Sequence, residues 1–401
     1  MSALFPFQAL RPAPGAAARV ASVPYDVVTA DEARALAAGN PLSFLHVTRS
    51  EIDLPPGTNP YDAAVYARAA ENLRRLAADA PLIVEDRPSL YCYRLRMGDH
   101  EQTGLAGCFS VDEYDRGLIK KHERTRRDKE DDRTRHITTV GAQTGLVLLT
   151  YRAQADVDAI VARVTAAPPL YDVVAADDVR HVVWRVPVED EAALVEAFSA
   201  IDALYIADGH HRAASASRAC EGRGGAGESS RFIAVAFPDA AMQVLPYNRV
   251  VADLAGRTPD ELLEAVRAVA RVSDGGPVPA RAGEVAMFLA GRWHRIELPE
   301  VPPGTPRADA LDVAILQTSI LAPLLGIADP RTDRRIDFVG GIRGTAELER
   351  LVASGRAAVA FSMHPVGVGD LMAIADQGGI MPPKSTWFEP KLRDGLLVHT
   401  I

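Results

Sequence analysis

Leu204-Tyr205-Ile206-Ala207-Asp208-Gly209-His210-His211-Arg212 runs from apolar residues into a glycine, and the helix-favouring Ala213-Ala214-Ser215-Ala216 follows. Four apolar residues ending at a turn signal read as a buried strand, and the alanine-rich stretch reads as a helix. A strand that breaks at glycine into a helix belongs to a sheet with helices packed on it, so the expected fold class is α/β (α+β). The same turn aims helix N-terminal N–H groups, with their partial positive charge, at an anion. Gly209 allows close backbone approach, and His210, His211 and Arg212 surround the point where phosphate oxygens would dock.

Other readings of these residues stay open. Asp208 caps the helix and the histidines are polar neighbours, or two histidines and an aspartate hold zinc or iron. Adjacent side chains seldom converge on one ion, so no metal site is assigned.

Outward from the turn, strand-like runs recur at Leu90-Tyr91-Cys92-Tyr93-Arg94-Leu95, Gly145 to Tyr151, Val182 to Val186, Ala234 to Phe237, Ile336 to Val339 and Ala357 to Phe361. Helical patterns lie between them at Ala63 to Ala78, Val157 to Ala166 and Ala346 to Ser354. Thr258-Pro259-Asp260-Glu261 is a helix start with a capping box. Gly222 to Ser230 and Met381 to Glu389 read as loops. Three regions are expected: an α/β lobe over 1–104, a core over 105–253 and an α/β lobe over 254–401.

The charge run Lys120 to Arg133 holds the next candidate residues. Glu123, beside His122, is a candidate general base for an alcohol. If Asp128 to His136 is helical, Lys129 and Arg133 stand at i,i+4, where like charges repel unless an anion bridges them. A solvated helix with Arg126–Glu130 and Glu130–Arg133 pairs is the alternative. Pro382-Pro383-Lys384-Ser385-Thr386 stiffens an approach to a lysine and two hydroxyls suited to a carboxylate or phosphate, unless Trp387 and Phe388 merely dock the segment. Polar groups in Val23-Pro24-Tyr25-Asp26-Val27 and Asn40 to Val47 are read as satisfied core packing.

Composition narrows the partners. A formal net charge of −9 over 401 residues speaks against a broad nucleic-acid surface and for small substrates. Cys92, Cys108 and Cys220 are too scattered for a disulfide framework or cysteine zinc site, which suits a reducing cytoplasm. No membrane-length apolar run or leader pattern is read, and a homo-oligomer is left open. The G-x-x-x-x-G-K-[ST], G-x-G-x-x-G and G-x-S-x-G motifs are absent.

Val23 to Val27, Asn40 to His46, Lys121 to Thr125 and Ala207 to Arg212 together resemble the DUF1015 family. Lys121-His122-Glu123, Asp208 to Arg212 and Pro383 to Thr386 also recur, in this order, as motifs of free serine kinases on the ParB/sulfiredoxin-like fold. The resemblance implies a ParB/sulfiredoxin-like core over 105–253 that transfers a phosphoryl group from ATP or ADP, with Mg²⁺, to free L-serine. It implies Glu123 as catalytic base with Asp208 and His211 beside it. Gly209 to Arg212, with Lys129 and Arg133, would bind nucleotide phosphates, and His122, Lys384, Ser385 and Thr386 would bind substrate. The chain departs from those kinases in its added N-terminal lobe and in Trp387 and Phe388, where they carry basic residues. A nucleotide-binding regulatory module of ParB-like type is the rival; a sulfiredoxin-type enzyme would need a reactive cysteine at the turn.

Overall fold

The computed structural model describes residues 3–79 and 81–401. Its contacts divide the chain into two units, Met1–Met242 with Pro390–Ile401, and Gln243–Glu389. The α/β class expected from the sequence is the class found.

The first unit is built on a nine-stranded sheet. Its strands lie in the spatial order Ile119–Lys120, Leu204–Asp208, Val147–Tyr151, Arg231–Pro238, His100–Ser110, Tyr91–Met97, Arg180–Arg185 and Tyr171–Val174, with Leu4–Phe5 pairing onto His100–Ser110. Tyr91–Met97 and His100–Ser110 form a hairpin closed at Gly98-Asp99, where Gly98 takes a φ of +58° that suits a two-residue turn. The sheet's apolar residues, among them Leu105, Phe109, Leu149, Ile206 and Phe232, form a core with Phe198 of the helix Val188–Ser199. Each such side chain contributes about 1.5–3 kcal/mol through burial.

The expected border at 104/105 falls inside the strand His100–Ser110. Leu105 pairs with Cys92 on one side and Ala236 on the other, so one sheet joins the two regions that the sequence reading separated. A smaller sheet orders Leu82–Val84, Ala9–Pro12, Val398–Thr400 and Ala142–Gln143, which draws Pro390–Ile401 into the same unit.

The second unit carries a six-stranded antiparallel sheet in the order Arg271–Asp274, Arg292–Glu297, Glu284–Leu289, Val359–Met363, Tyr247–Val251 and Ile336–Gly340. Tyr247–Val251 hydrogen-bonds to strands on both sides, so the expected border at 253/254 would cut it from its own sheet. The helix Pro259–Arg267 starts as expected, with Thr258 Oγ1 accepting from the Glu261 N–H and Glu261 reaching back to Thr258. Met381 to Glu389 is not wholly loop, since Trp387–Phe388 pairs with Val244–Leu245. No helix among the described residues is long and apolar enough to cross a membrane.

Candidate functional site

Strand direction assembles the site. Leu204–Asp208 runs parallel to Ile119–Lys120, so the residues that follow each strand emerge at the same sheet edge. That brings Lys121-His122-Glu123 against Gly209-His210-His211. Val147–Tyr151 runs antiparallel to Leu204–Asp208, so its leading residues Gly145 and Leu146 reach this edge too. The ends of adjacent parallel strands are where open α/β sheets bind ligands.

Gly209 sits at φ +92° and ψ 28° and is the N-cap of the helix His210–Gly222. No side chain caps that helix among the described residues. Asp208 therefore does not cap it; its Oδ1 accepts from the Gly209 N–H at 2.9 Å, within the turn itself. A Cβ at Gly209 would meet Val147 Cα at 3.4 Å and Arg212 Cδ at 3.5 Å, and the left-handed φ strains any L-residue. Gly209→Ala is accordingly expected to cost about 1–2 kcal/mol in chemical denaturation.

Three histidines line the turn. The His122 N–H donates to His210 Nε2 at 3.5 Å, and the two rings meet edge to face with centroids 4.4 Å apart. With Nε2 accepting, the proton of a neutral His210 lies on Nδ1, and Nδ1 faces Glu123 Oε2 at 3.8 Å. His211 Nε2 likewise accepts from the Arg126 N–H at 3.0 Å, which also puts its proton on Nδ1. Burial lowers the basicity of all three: His122 falls to about 4 and His211 also moves down. For His210, burial and the neighbouring His122 together hold it well below the ordinary value. The imidazoles of the turn are neutral, so its positive character comes from the helix N-terminus and from lysine.

One such lysine is Lys391, whose Nζ bonds Asp208 Oδ2 at 3.1 Å. Burial alone would raise the Asp208 pKa, but Lys391 and Arg212 more than offset it and keep the carboxylate ionised. Arg212 does not reach out as a phosphate fork. It is buried, donating from Nη2 to Asp26 Oδ1 and Oδ2 at 2.8 and 3.0 Å and from Nη1 to the Leu146 carbonyl at 2.7 Å, with Tyr25 against its guanidinium. Its place is beneath the turn, which it ties to the leading edge of Val147–Tyr151. A cavity of about 30 Å³ lies beside it, lined by residues that include Tyr25, Arg133, His136, Thr144 and Gly145. That volume admits water rather than substrate.

Lys129 and Arg133 do lie on one helix, Arg127–Val140, but they part. Lys129 bonds the Tyr61 hydroxyl at 3.0 Å, while Arg133 pairs with Asp132 at 2.7 Å and stacks over Tyr25. The alternative surface pairs do not form either. Arg126 pairs with Asp128, and Glu130 takes Arg218 and the Thr125 hydroxyl. Lys384, Ser385 and Thr386 lie in the second unit, where Ser385 Oγ donates to the Pro382 carbonyl at 2.6 Å and Arg249 Nη2 to the Lys384 carbonyl at 3.0 Å. Cys220 is buried within the helix after the turn, and burial pushes its thiol up, the reverse of what a reactive cysteine needs.

Sequence reasoning missed Tyr25, Asp26, Lys391 and Asp394. The polar pair Tyr25-Asp26 amid apolar residues was a signal, but it read as core packing. Lys391 and Asp394 gave none, because nothing local ties Pro390–Ile401 to the turn. The Asn40 to Val47 stretch is satisfied packing as expected: Asn40 Nδ2 donates to the Arg19 carbonyl at 2.7 Å and His46 pairs with Asp53 at 2.8 Å. No group of three or more metal-ligating side chains is found among the described residues.

The chain matches the family described as "Protein of unknown function (DUF1015)" over residues 4–314. No curated protein matches it. Among solved structures, it is similar to a conserved hypothetical protein from Pyrococcus furiosus, at 15% identity and a TM-score of 0.35, covering 73% of this chain and 94% of that one. It is similar to a free serine kinase in complex with AMP at 14% identity and a TM-score of 0.35, covering 73% and 92%. SbnI with C-terminal truncation from Staphylococcus aureus gives 11% identity and a TM-score of 0.40, covering 73% and 87%.

Proposed function

The chain belongs to the DUF1015 family, and from that premise we propose that it is a small-molecule kinase that transfers a phosphoryl group from ATP or ADP to the hydroxyl of free L-serine. The observation that carries the proposal is a half-exposed carboxylate beside an uncapped helix N-terminus, with Glu123 Oε2 3.8 Å from His210 Nδ1. A cradle for phosphate and a base for an alcohol are the two parts that phosphoryl transfer asks of a protein.

In this reading the terminal phosphate of the nucleotide rests on the N–H groups that open the helix at His210. Glu123 takes the proton from the serine hydroxyl, and the oxygen bonds to phosphorus. The bond from phosphorus to the bridging oxygen breaks in line, and the nucleotide leaves shortened by one phosphate. His210 orients the base through Nδ1–H, and Lys391 keeps Asp208 charged behind the turn. Mg²⁺ bound to phosphates keeps several waters and needs at most one or two carboxylates from the protein. The ion would supply charge neutralisation on the phosphates.

Pure protein incubated with Mg²⁺, ATP or ADP and a panel of amino acids and small alcohols is expected to yield O-phospho-L-serine by mass spectrometry. Nucleotide binding without transfer to any acceptor would overturn the kinase reading in favour of a regulatory module.

A further inference from the structure

Among the described residues, the large apolar side chains left in water are valine, leucine and isoleucine with one aromatic exception, Tyr61, which is 42% exposed. Aromatic rings bury much area when they can, and a ring kept in the open offers its face for stacking. Polar bonds, not packing, hold this one in place. Lys129 Nζ donates to its hydroxyl at 3.0 Å, Arg135 Nη1 donates to its carbonyl at 3.3 Å, and its own N–H donates to Asn59 Oδ1 at 3.1 Å. The lysine nitrogen lies 5.6 Å from the ring centre but 3.0 Å from the hydroxyl, so it sits off the oxygen end and covers neither face.

The helix that holds the ring is the helix that meets the glycine turn. Tyr66 Oη donates to Asp132 Oδ1 at 2.8 Å, so Lys129, Asp132 and Arg135, spaced by three, form one stripe of Arg127–Val140 that fastens Tyr61 and Tyr66. At the start of that helix the Arg126 N–H donates to His211 Nε2 at 3.0 Å, and the Lys129 N–H donates to the Arg126 carbonyl at 3.1 Å. Lys129 therefore stands one helical turn, about 5 Å along the axis, from the residue that touches the turn. Burial lowers the basicity of His211, and the charges of Arg126 and Lys129 are near enough to lower it further. Tyr61, the helix and the turn all belong to the first unit. A nucleotide is itself extended, with sugar and phosphates between its base and its terminal phosphate. Its base must find a partner a side chain or two away from the phosphate cradle, and Tyr61 is the open ring at that remove.

We propose that Tyr61 is the platform on which the base of the donor nucleotide stacks, and that Lys129 sets the plane of the ring by fixing its hydroxyl. The inference rests on the kinase reading, which puts the phosphates at His210, and it assigns the other end of the same ligand. Stacking asks only for a π face, so recognition of the base is tolerant and extends to purines and pyrimidines alike.

The test is calorimetric titration of the full chain with ADP and ATP, and with inorganic pyrophosphate, which offers phosphates without a base. The wild-type protein is expected to bind both nucleotides more tightly than pyrophosphate. Tyr61→Ala is expected to bind ADP about 5- to 150-fold more weakly, the loss of one base–aromatic stack, and to bind pyrophosphate as the wild type does. Tyr61→Phe keeps the ring and gives up only the bond from Lys129, so it is expected to restore most of the ADP affinity. Because Tyr61 is exposed, Tyr61→Ala should melt with the wild type. A tyrosine with a purely structural role would instead lower the melting point and weaken ADP and pyrophosphate equally. That result overturns the platform, as does an ADP affinity indifferent to Tyr61→Ala or a wild type that binds neither nucleotide. Transfer to L-serine is followed on the same preparations. Transfer together with an ADP affinity indifferent to Tyr61 sinks this inference alone, and a Tyr61-dependent affinity without transfer to any acceptor sinks the kinase reading alone.

Discussion

Glu123→Gln is expected to fold like the wild type and to lose about 10²–10⁴-fold in turnover, the usual contribution of a positioned general base. The substitution preserves shape and removes the charge that accepts the proton. Because the Glu123 side chain is 50% exposed, the change leaves no buried charge unpaired and should hardly move the melting temperature. His210 Nδ1–H, 3.8 Å away, donates to the glutamine oxygen as it would to the carboxylate, so the turn keeps its shape. The loss should therefore appear in kcat with nucleotide affinity nearly unchanged, as for an interaction made in the transition state. Single-turnover kinetics and ADP titration on matched preparations check both halves. Full turnover in Glu123→Gln would remove Glu123 as the base.

Arg212→Met is expected to be the most damaging single change to stability, at about 3–5 kcal/mol, because it takes the cation from a buried charge cluster. Arg212 faces Asp26 directly and Asp394 through space, with Tyr25 and Arg133 around them. Asp394 is 1% exposed, and among the described residues its Oδ2 has no hydrogen-bond partner. Burial raises its pKa to about 7, although Arg212 already pulls it down. The sign follows directly. A carboxyl whose folded pKa exceeds its unfolded 3.8 favours the folded state most fully below 3.8, and that benefit is lost as pH rises to about 7. Without Arg212 the folded pKa climbs further and the loss continues above 7. Urea denaturation should thus find the difference between wild type and Arg212→Met larger at about pH 8.5 than at about pH 6.5. A pH-independent difference would mean that Asp394 does not sense Arg212.

The contrast between these two residues marks what the sequence made legible. The turn from Leu204 to Arg212 was readable because its signals are local: an apolar run, a glycine and a helix-forming stretch. The apposition of Glu123 and His210 could be stated only as a resemblance, since its cause is parallel pairing across 84 intervening residues, Ile119 with Leu204. Arg212 was misjudged for the same reason. Its chemistry suits phosphate, and only the folded arrangement reveals that Asp26 and the Leu146 carbonyl already occupy it. The borders at 104/105 and 253/254 were set by local changes of pattern, whereas His100–Ser110, which spans the first, and Tyr247–Val251, which lies just before the second, pair with partners far along the chain.

The first unit is assembled from two stretches that synthesis separates. A ribosome finishes Gln243–Glu389 before it emits Pro390–Ile401. Until then Asp208 waits without Lys391, and Ala9–Leu10 waits without Val398–His399. A chain stalled or clipped after the second unit would keep the glycine turn, Glu123 and Arg212 yet lack Lys391, one of the two cations that hold Asp208 ionised. The ion pair behind the turn can therefore form only once translation has passed residue 391.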